Sequence, residues 1–152
     1  MNYLLDTNIV LIYTQASPLA KLIEKDLQLL DKDNMLFVSV VTVGEVESLM
    51  LQRGYGEKKQ QAFRQILDRL TIVDINIEEV IKRYAEIDAF SQGKHPAKPL
   101  GSSARNMGKN DLWIAATSSI YDLVLITTDQ DFNHLDGEYI SLKSIDIEQY
   151  RR

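Results

Sequence analysis

Short apolar runs alternate along this chain with longer stretches in which apolar residues recur every third or fourth position. The runs read as strands buried on both faces, the longer stretches as amphipathic helices. Their alternation predicts an α/β fold around a parallel sheet. Tyr3 to Leu5 forms a first short strand that ends at Asp6. Pro18 is placed to open a helix with Leu19, Leu22, Ile23, Leu27 and Leu30 at helical spacing. Met35 to Val38 is rich in strand formers, and Ser39 or Thr42 suits the N-cap of a helix through Glu45, Leu49 and Met50. Gly54 and Gly56 end that helix. Ala62, Phe63, Ile66, Leu67 and Leu70 mark another, Thr71 to Val73 a strand, and Val80, Ile81, Tyr84, Ile87 and Ala89 a further helix.

Between Ser91 and Gly108 the period breaks at Gly93, Pro96, Pro99, Gly101 and Gly108. This reads as a loop of about 15 residues, a length more often functional or mobile than decorative. Lys109 or Asn110 then leads into a helix carrying Asp111, Trp113, Ile114, Ala115 and Ala116. Leu123 to Ile126 is the most strand-like run, followed at once by Thr127, Thr128, Asp129 and Asp131, and Tyr139 to Leu142 predicts a last strand. Without repeats, low complexity or a linker, the expectation is one domain over residues 1–152.

Composition narrows the class. With 45% hydrophobic and 26% charged residues, the chain sits among ordinary globular proteins. The absence of cysteine removes disulfides and thiolate-bound zinc, and it suits a reducing cytoplasm. Asp6 interrupts the first apolar run where a secretory signal would continue. No apolar stretch approaches the roughly 18–20 residues of a membrane span, so the expectation is a cytoplasmic protein without a membrane partner. A net charge of −5 counts against a protein that coats nucleic acid by bulk electrostatics. It leaves room for a nuclease whose carboxylates hold divalent cations, because a bound cation reverses the local field.

The acids are therefore the place to look. In open parallel sheets, ligands bind at the carboxyl ends of the strands. Asp6 follows the first strand, Asp129 follows the strand ending at Ile126, Glu45 lies early in the helix after Met35 to Val38, and Asp111 opens its helix. Each acid has a simpler reading alone: Asp6 as a helix cap, Glu45 as a solvated helical residue, Asp111 as a complement to the helix dipole, Asp129 as a turn residue. Their joint placement outweighs those readings. Carboxylate oxygens are the donors that Mg²⁺ and Mn²⁺ prefer, and several together without a cation repel one another. Convergence would imply a metal.

Other residues take secondary roles. His95 and His134 are the only histidines and are both expected at the surface, which argues against a metal-independent, histidine-driven ribonuclease. Lys94, His95, Lys98, Arg105 and Lys109 make the irregular loop and its exit the most basic stretch. Arg105 and Lys109 are expected to contact phosphates, with Lys94 and Lys98 further out and Asn106 and Asn110 hydrogen-bonding substrate. The simpler reading is a solvated loop with scattered cations. Trp113 and Phe132 are expected in the core rather than stacking on a base.

Four segments together carry a family resemblance. Leu4-Leu5-Asp6-Thr7-Asn8 resembles the opening motif of the PIN-domain family, and Val38-Ser39-Val40-Val41-Thr42-Val43-Gly44-Glu45 its second. Asn110-Asp111-Leu112-Trp113-Ile114-Ala115-Ala116 is similar to the third, and Leu125-Ile126-Thr127-Thr128-Asp129-Gln130-Asp131-Phe132 to the fourth. They occur in family order across nearly the whole chain. The resemblance implies a three-layer α/β/α sandwich with a central parallel sheet of four or five strands. It also implies Mg²⁺- or Mn²⁺-dependent hydrolysis of RNA that leaves 5′-phosphate and 3′-hydroxyl ends. Carried over, the catalytic metal ligands are Asp6, Glu45, Asp111 and Asp129, with Asp131 a further acid. Asn8 and Thr7 match positions that orient Asp6 or contact metal-bound water.

In size and motif spacing the chain is most similar to VapC toxins, which implies an antitoxin partner and a homodimer. An apolar groove from Pro18 to Leu30 and Gly44 to Leu51, with Leu49 and Met50 partly exposed, is the expected antitoxin site. A haloacid-dehalogenase-type phosphohydrolase would want an acid at position 8, where Asn8 stands, and leaves Glu45 unexplained. A non-catalytic PIN-like RNA- or protein-binding module is the alternative that loss of acids would favour, and none is lost. No helix-turn-helix is recognisable, so any reading of DNA would come from a partner.

Overall fold

Successive residues of the inner strands alternate between two apolar clusters. Tyr3 and Leu5 pack into one and Leu4 into the other, and the same alternation divides Leu36 and Val38 from Phe37, and Ile126 from Leu125. The computed structural model describes residues 1–151. Its sheet comprises β1 (Asn2–Leu5), β2 (Met35–Ser39), β3 (Thr71–Val73), β4 (Val124–Thr127) and β5 (Ser141–Ser144), in the order β3-β2-β1-β4-β5. Every pairing is parallel. The helices α1 (Thr7–Gln15), α2 (Pro18–Leu27), α3 (Val40–Gln52) and α4 (Glu57–Leu67) supply the first cluster. The helices α5 (Glu78–Ser91) and α6 (Lys109–Tyr121) supply the second. This is the three-layer α/β/α arrangement expected from the sequence.

The strand order fixes where a site can form. The chain leaves β1 for β2 and β3 on one side, then returns to build β4 and β5 on the other. The crossover direction reverses between β1 and β4, and a crevice opens there at their carboxyl ends. The backbone amide of Asp6 donates to the carbonyl of Ile126 at 3.0 Å, joining the two strands at that point.

Local chemistry explains most helix starts. Ser17 accepts from the amide of Ala20 with Pro18 at the first helical position, and Ser39 caps α3 by accepting from Val41. Thr42 is instead fully buried inside α3.

Several expectations need correcting. The last strand begins at Ser141 rather than Tyr139, because Tyr139 packs edge-on against Phe90 and the turn at Gly137 (φ 79°) occupies the preceding residues. Ser91 ends α5, fully buried, so the irregular segment runs from residue 92 to 108. Met50 is only 5% exposed because it points into the first cluster, so it cannot line an antitoxin groove. The segments assigned to one such groove line two. One, of about 450 Å³, lies among α1, α2 and α4 with Tyr13, Ala16, Ala20, Leu30 and Ile66 in its walls. The other, of about 540 Å³, follows α3 from Val40 past Gly44, Ser48 and Leu49 to Asn110. No helix among the described residues is long and apolar enough to cross a membrane.

Candidate active site

The end of β1 delivers Asp6 as the N-cap of α1, with its side chain 4% exposed. One carboxylate oxygen accepts from the Thr7 amide at 2.8 Å and the other from the Thr127 hydroxyl at 2.5 Å. Burial nevertheless pushes this carboxyl above its ordinary value. The two hydrogen bonds pull it down, and the charges of Asp129 and Glu45 push it up again. Asp6 is thus a helix cap and a member of a charged cluster at once.

Glu45 reaches the crevice from the second turn of α3, where the Thr7 hydroxyl donates to it at 2.9 Å. Thr7 therefore orients Asp6 through its amide, and its hydroxyl holds Glu45 as well. Asp111 stands in the first turn of α6. It is pushed up to about 7, first by burial and then by the charges of Asp6, Asp129, Glu45 and Asp131. Asp129 accepts from the Asp131 amide at 2.9 Å, which folds the turn after β4. Carboxylate oxygens of Asp111, Asp129 and Asp131 all lie within 4.8 Å of one another. Asp6 and Glu45 flank that trio closely enough for their charges to act on Asp111.

Of the five acids named from the sequence, Asp111, Asp129 and Asp131 come within 4.8 Å of one another, and Asp6 and Glu45 stand near enough for their charges to reach Asp111. Among the described residues, none of the five forms a salt bridge. Carboxylates grouped this closely, with no neutralising cation and with Asp6 and Asp111 both pushed above their ordinary values, are a fitting donor set for a hard divalent ion. Of these donors, Asp111, Asp129 and Asp131 offer the tightest grouping.

The basic segment is partly committed elsewhere. The Lys98 ammonium pairs with Glu138 at 3.1 Å and lies over the Tyr139 ring at 4.2 Å, so it anchors the loop rather than waiting for phosphate. Arg105 remains at the site, lining a recess of about 90 Å³ with Asn106, Met107 and Asp131. Its amide is held by the Ser91 carbonyl at 2.7 Å. Lys109 is exposed at the first position of α6, and Asn8 donates to Thr128 at 3.4 Å. His134 is not a surface residue. It is half-buried, Nε2 lies 2.7 Å from the Ser91 hydroxyl, and burial lowers its pKa before the charge of Arg105 adds to the effect. It braces the loop and lies outside the acid cluster. Phe132 is fully buried, as expected, whereas Trp113 is only partly buried at the edge of the second cluster, where it packs on Tyr84 with centroids 4.3 Å apart.

Sequence reasoning did not single out Thr127 or Thr42 as site residues. The signal for Thr127 was its place directly after the most strand-like run, but only the pairing of β1 with β4, Leu5 beside Ile126, brings it to Asp6. Thr42 carries a weaker signal, its position three residues before Glu45 on one helix face.

The PIN domain family profile matches residues 3–138. This chain belongs to the PIN domain family. No curated protein sequence matches it. Among solved structures, it resembles VapBC2 from Rickettsia felis bound to a DNA fragment from its promoter, at 23% identity and a TM-score of 0.75. The match covers 95% of this chain and 98% of that one. VapBC-1 from nontypeable Haemophilus influenzae is similar at 24% identity and a TM-score of 0.69, with the same coverage. VapBC-5 from Mycobacterium tuberculosis matches at 22% identity and a TM-score of 0.62, again over 95% and 98% of the two chains. At these identities the likeness establishes a shared PIN fold over nearly the full length of each chain.

Proposed function

We propose that this PIN domain is a divalent-cation-dependent endoribonuclease and the toxin of a VapBC-type toxin–antitoxin pair, acting in the cytoplasm. The observation that carries the enzymatic reading is the grouping of Asp111, Asp129 and Asp131 within 4.8 Å, with Asp6 and Glu45 close enough to act on Asp111 through their charge. Asp6, Glu45, Asp111 and Asp129 hold the metal, with Asp131, grouped with Asp111 and Asp129, as a fifth acid. Mg²⁺ or Mn²⁺ bound there would supply Lewis-acid polarisation of the scissile phosphate and activation of the attacking water.

The chain's own residues do the rest. Thr127 and Thr7 fix the two Asp6 oxygens, so that acid meets its ligand in one orientation. Arg105 and Lys109, the cations flanking the approach to Asp111, contact phosphates of the RNA, and Asn8 at the mouth of the crevice adds a hydrogen-bonding group. No histidine serves as a base, since His134 is turned to Ser91.

The toxin reading draws on the VapBC complexes that share this fold. It is supported by the groove among α1, α2 and α4, whose largely apolar walls suit an amphipathic antitoxin segment. A homodimer and an RNA substrate complete the reading. The alternative of a non-catalytic binding module has no feature in its favour, because every acid is retained.

The test is cleavage of total RNA and transfer RNA by purified protein. EDTA should abolish cutting and Mn²⁺ or Mg²⁺ restore it, with products bearing 5′-phosphate and 3′-hydroxyl ends. Cutting that persists in EDTA, or none with metal present, overturns the reading.

A further inference from the structure

Thr42 is fully buried, and its hydroxyl lies 3.2 Å from that of Thr7. Thr7 in turn is 2.9 Å from a carboxylate oxygen of Glu45. The direction of these bonds follows from counting protons. A threonine hydroxyl has one proton to give, and an ionised carboxylate can only accept. Thr7 therefore donates to Glu45, and its oxygen is left to accept from Thr42. Among the described residues, Thr7 is the only side-chain partner of the Thr42 hydroxyl. A buried hydroxyl left without a partner would be costly, so the bond has a reason to persist.

Position makes the arrangement effective. Thr42 and Glu45 are three residues apart on α3 and share a face, while Thr7 comes from the first turn of α1. The β-branch of Thr42 restricts its χ1, so its hydroxyl has few orientations to choose from. Each bond in such a chain polarises the next. Glu45 is only half-buried on a helix of its own, and without this brace its long side chain would sample several rotamers.

We propose that Thr42 is a positioning residue for Glu45, acting through Thr7 in a hydroxyl relay that sets the carboxylate for metal binding. The inference rests on the metal-site reading above. It gives a fully buried polar group in the first turn of α3 a task that a core residue would not have.

The test is Mn²⁺ titration of metal-stripped protein, comparing wild type with Thr42→Val, Thr42→Ser, Thr7→Val and the Thr7→Val/Thr42→Val double variant. Valine keeps the shape of threonine and removes only the hydroxyl. Thr42→Val should weaken Mn²⁺ binding about tenfold, as loss of an outer partner of a metal ligand does, and Thr42→Ser should stay within about twofold of wild type. The double variant should match Thr7→Val alone, because a relay already cut at Thr7 has nothing further to lose. In RNA cleavage, Thr42→Val should lower kcat at limiting Mn²⁺, recover with excess metal, and leave KM for RNA unmoved. Thermal melting of the metal-free proteins checks folding, and Thr42→Ala replaces Thr42→Val if the latter unfolds. Wild-type affinity in Thr42→Val, an equal loss in Thr42→Ser, or full additivity with Thr7→Val would overturn the relay alone. Failure of the wild type to bind Mn²⁺ would overturn the metal reading and the relay together.

Discussion

Asp111 sits where two demands conflict. Its place in the first turn of α6 favours a negative charge, because the helix dipole is positive there. Burial and four neighbouring acids disfavour that charge and push the carboxyl up to about 7. The unfolded chain would release this proton near the ordinary value of 3.8, so between there and about 7 the folded state binds more protons than the unfolded one. Stability of the metal-free protein should therefore be highest at the acid end of that window and fall as pH rises through it. Asp111→Asn should flatten this slope and raise the melting temperature of the metal-free protein at neutral pH. Thermal melts of both proteins in EDTA across the window check the claim, and parallel curves would contradict it. Metal binding must displace the same proton, so Mn²⁺ affinity should weaken as pH drops below about 7.

The acids were legible in the sequence because Asp6 and Asp129 follow strands, Asp111 opens a helix and Glu45 lies early in one, and because all four fall in segments that resemble the family's motifs. The hydroxyls were not. Thr42 read as a candidate helix cap and Thr127 as part of the polar run after a strand; the pairing of β1 with β4 brings Thr127 to Asp6, and the packing of α1 on α3 brings Thr7 between Thr42 and Glu45.

At the scale of elements, the segment from residue 92 to 108 is longer than most connections, yet its ends are tied down. The Arg105 amide is held by the Ser91 carbonyl, the Ser91 hydroxyl meets Met107 and His134, and Lys98 is clamped by Glu138 and Tyr139. These ties hold Arg105 beside Asp131. Lys98→Ala should loosen the segment, speeding its amide exchange. It should raise KM for RNA by about two- to fivefold, the worth of an exposed cation–π contact, with kcat little changed. Unchanged exchange over these residues would mean the clamp is idle.

Sequence patterns served the long elements better than the short ones. The stretch Ile9-Val10-Leu11-Ile12-Tyr13 is apolar on all sides and includes three β-branched residues, so it offers no helical stripe, yet it lies within α1. Tertiary packing overrides propensity there, since Ile9 and Val10 are fully buried between the sheet and α4. β5 is exposed at most positions and so has no hydrophobic register to read, which is why its start could be misplaced by two residues.

Over the whole molecule, topology and charge agree. The strand order β3-β2-β1-β4-β5 puts its reversal at β1, and that reversal is where the acids gather. A net charge of −5 leaves the protein without a bulk attraction for RNA, so a bound cation and a few placed residues such as Arg105 must provide it. The PIN fold supplies the crevice, and this chain supplies its own braces in Thr7, Thr42, Thr127 and the clamped basic segment.

The most direct test is single-turnover cleavage of labelled RNA at saturating Mn²⁺ by wild type, Asp6→Asn and Asp111→Asn. Both substitutions keep the size of the side chain and remove its charge. The wild type should cut, and each variant should lose at least about a hundredfold, beyond the usual cost of losing an outer partner of a metal ligand. Cleavage by both folded variants at the wild-type rate would place the chemistry elsewhere and contradict the account.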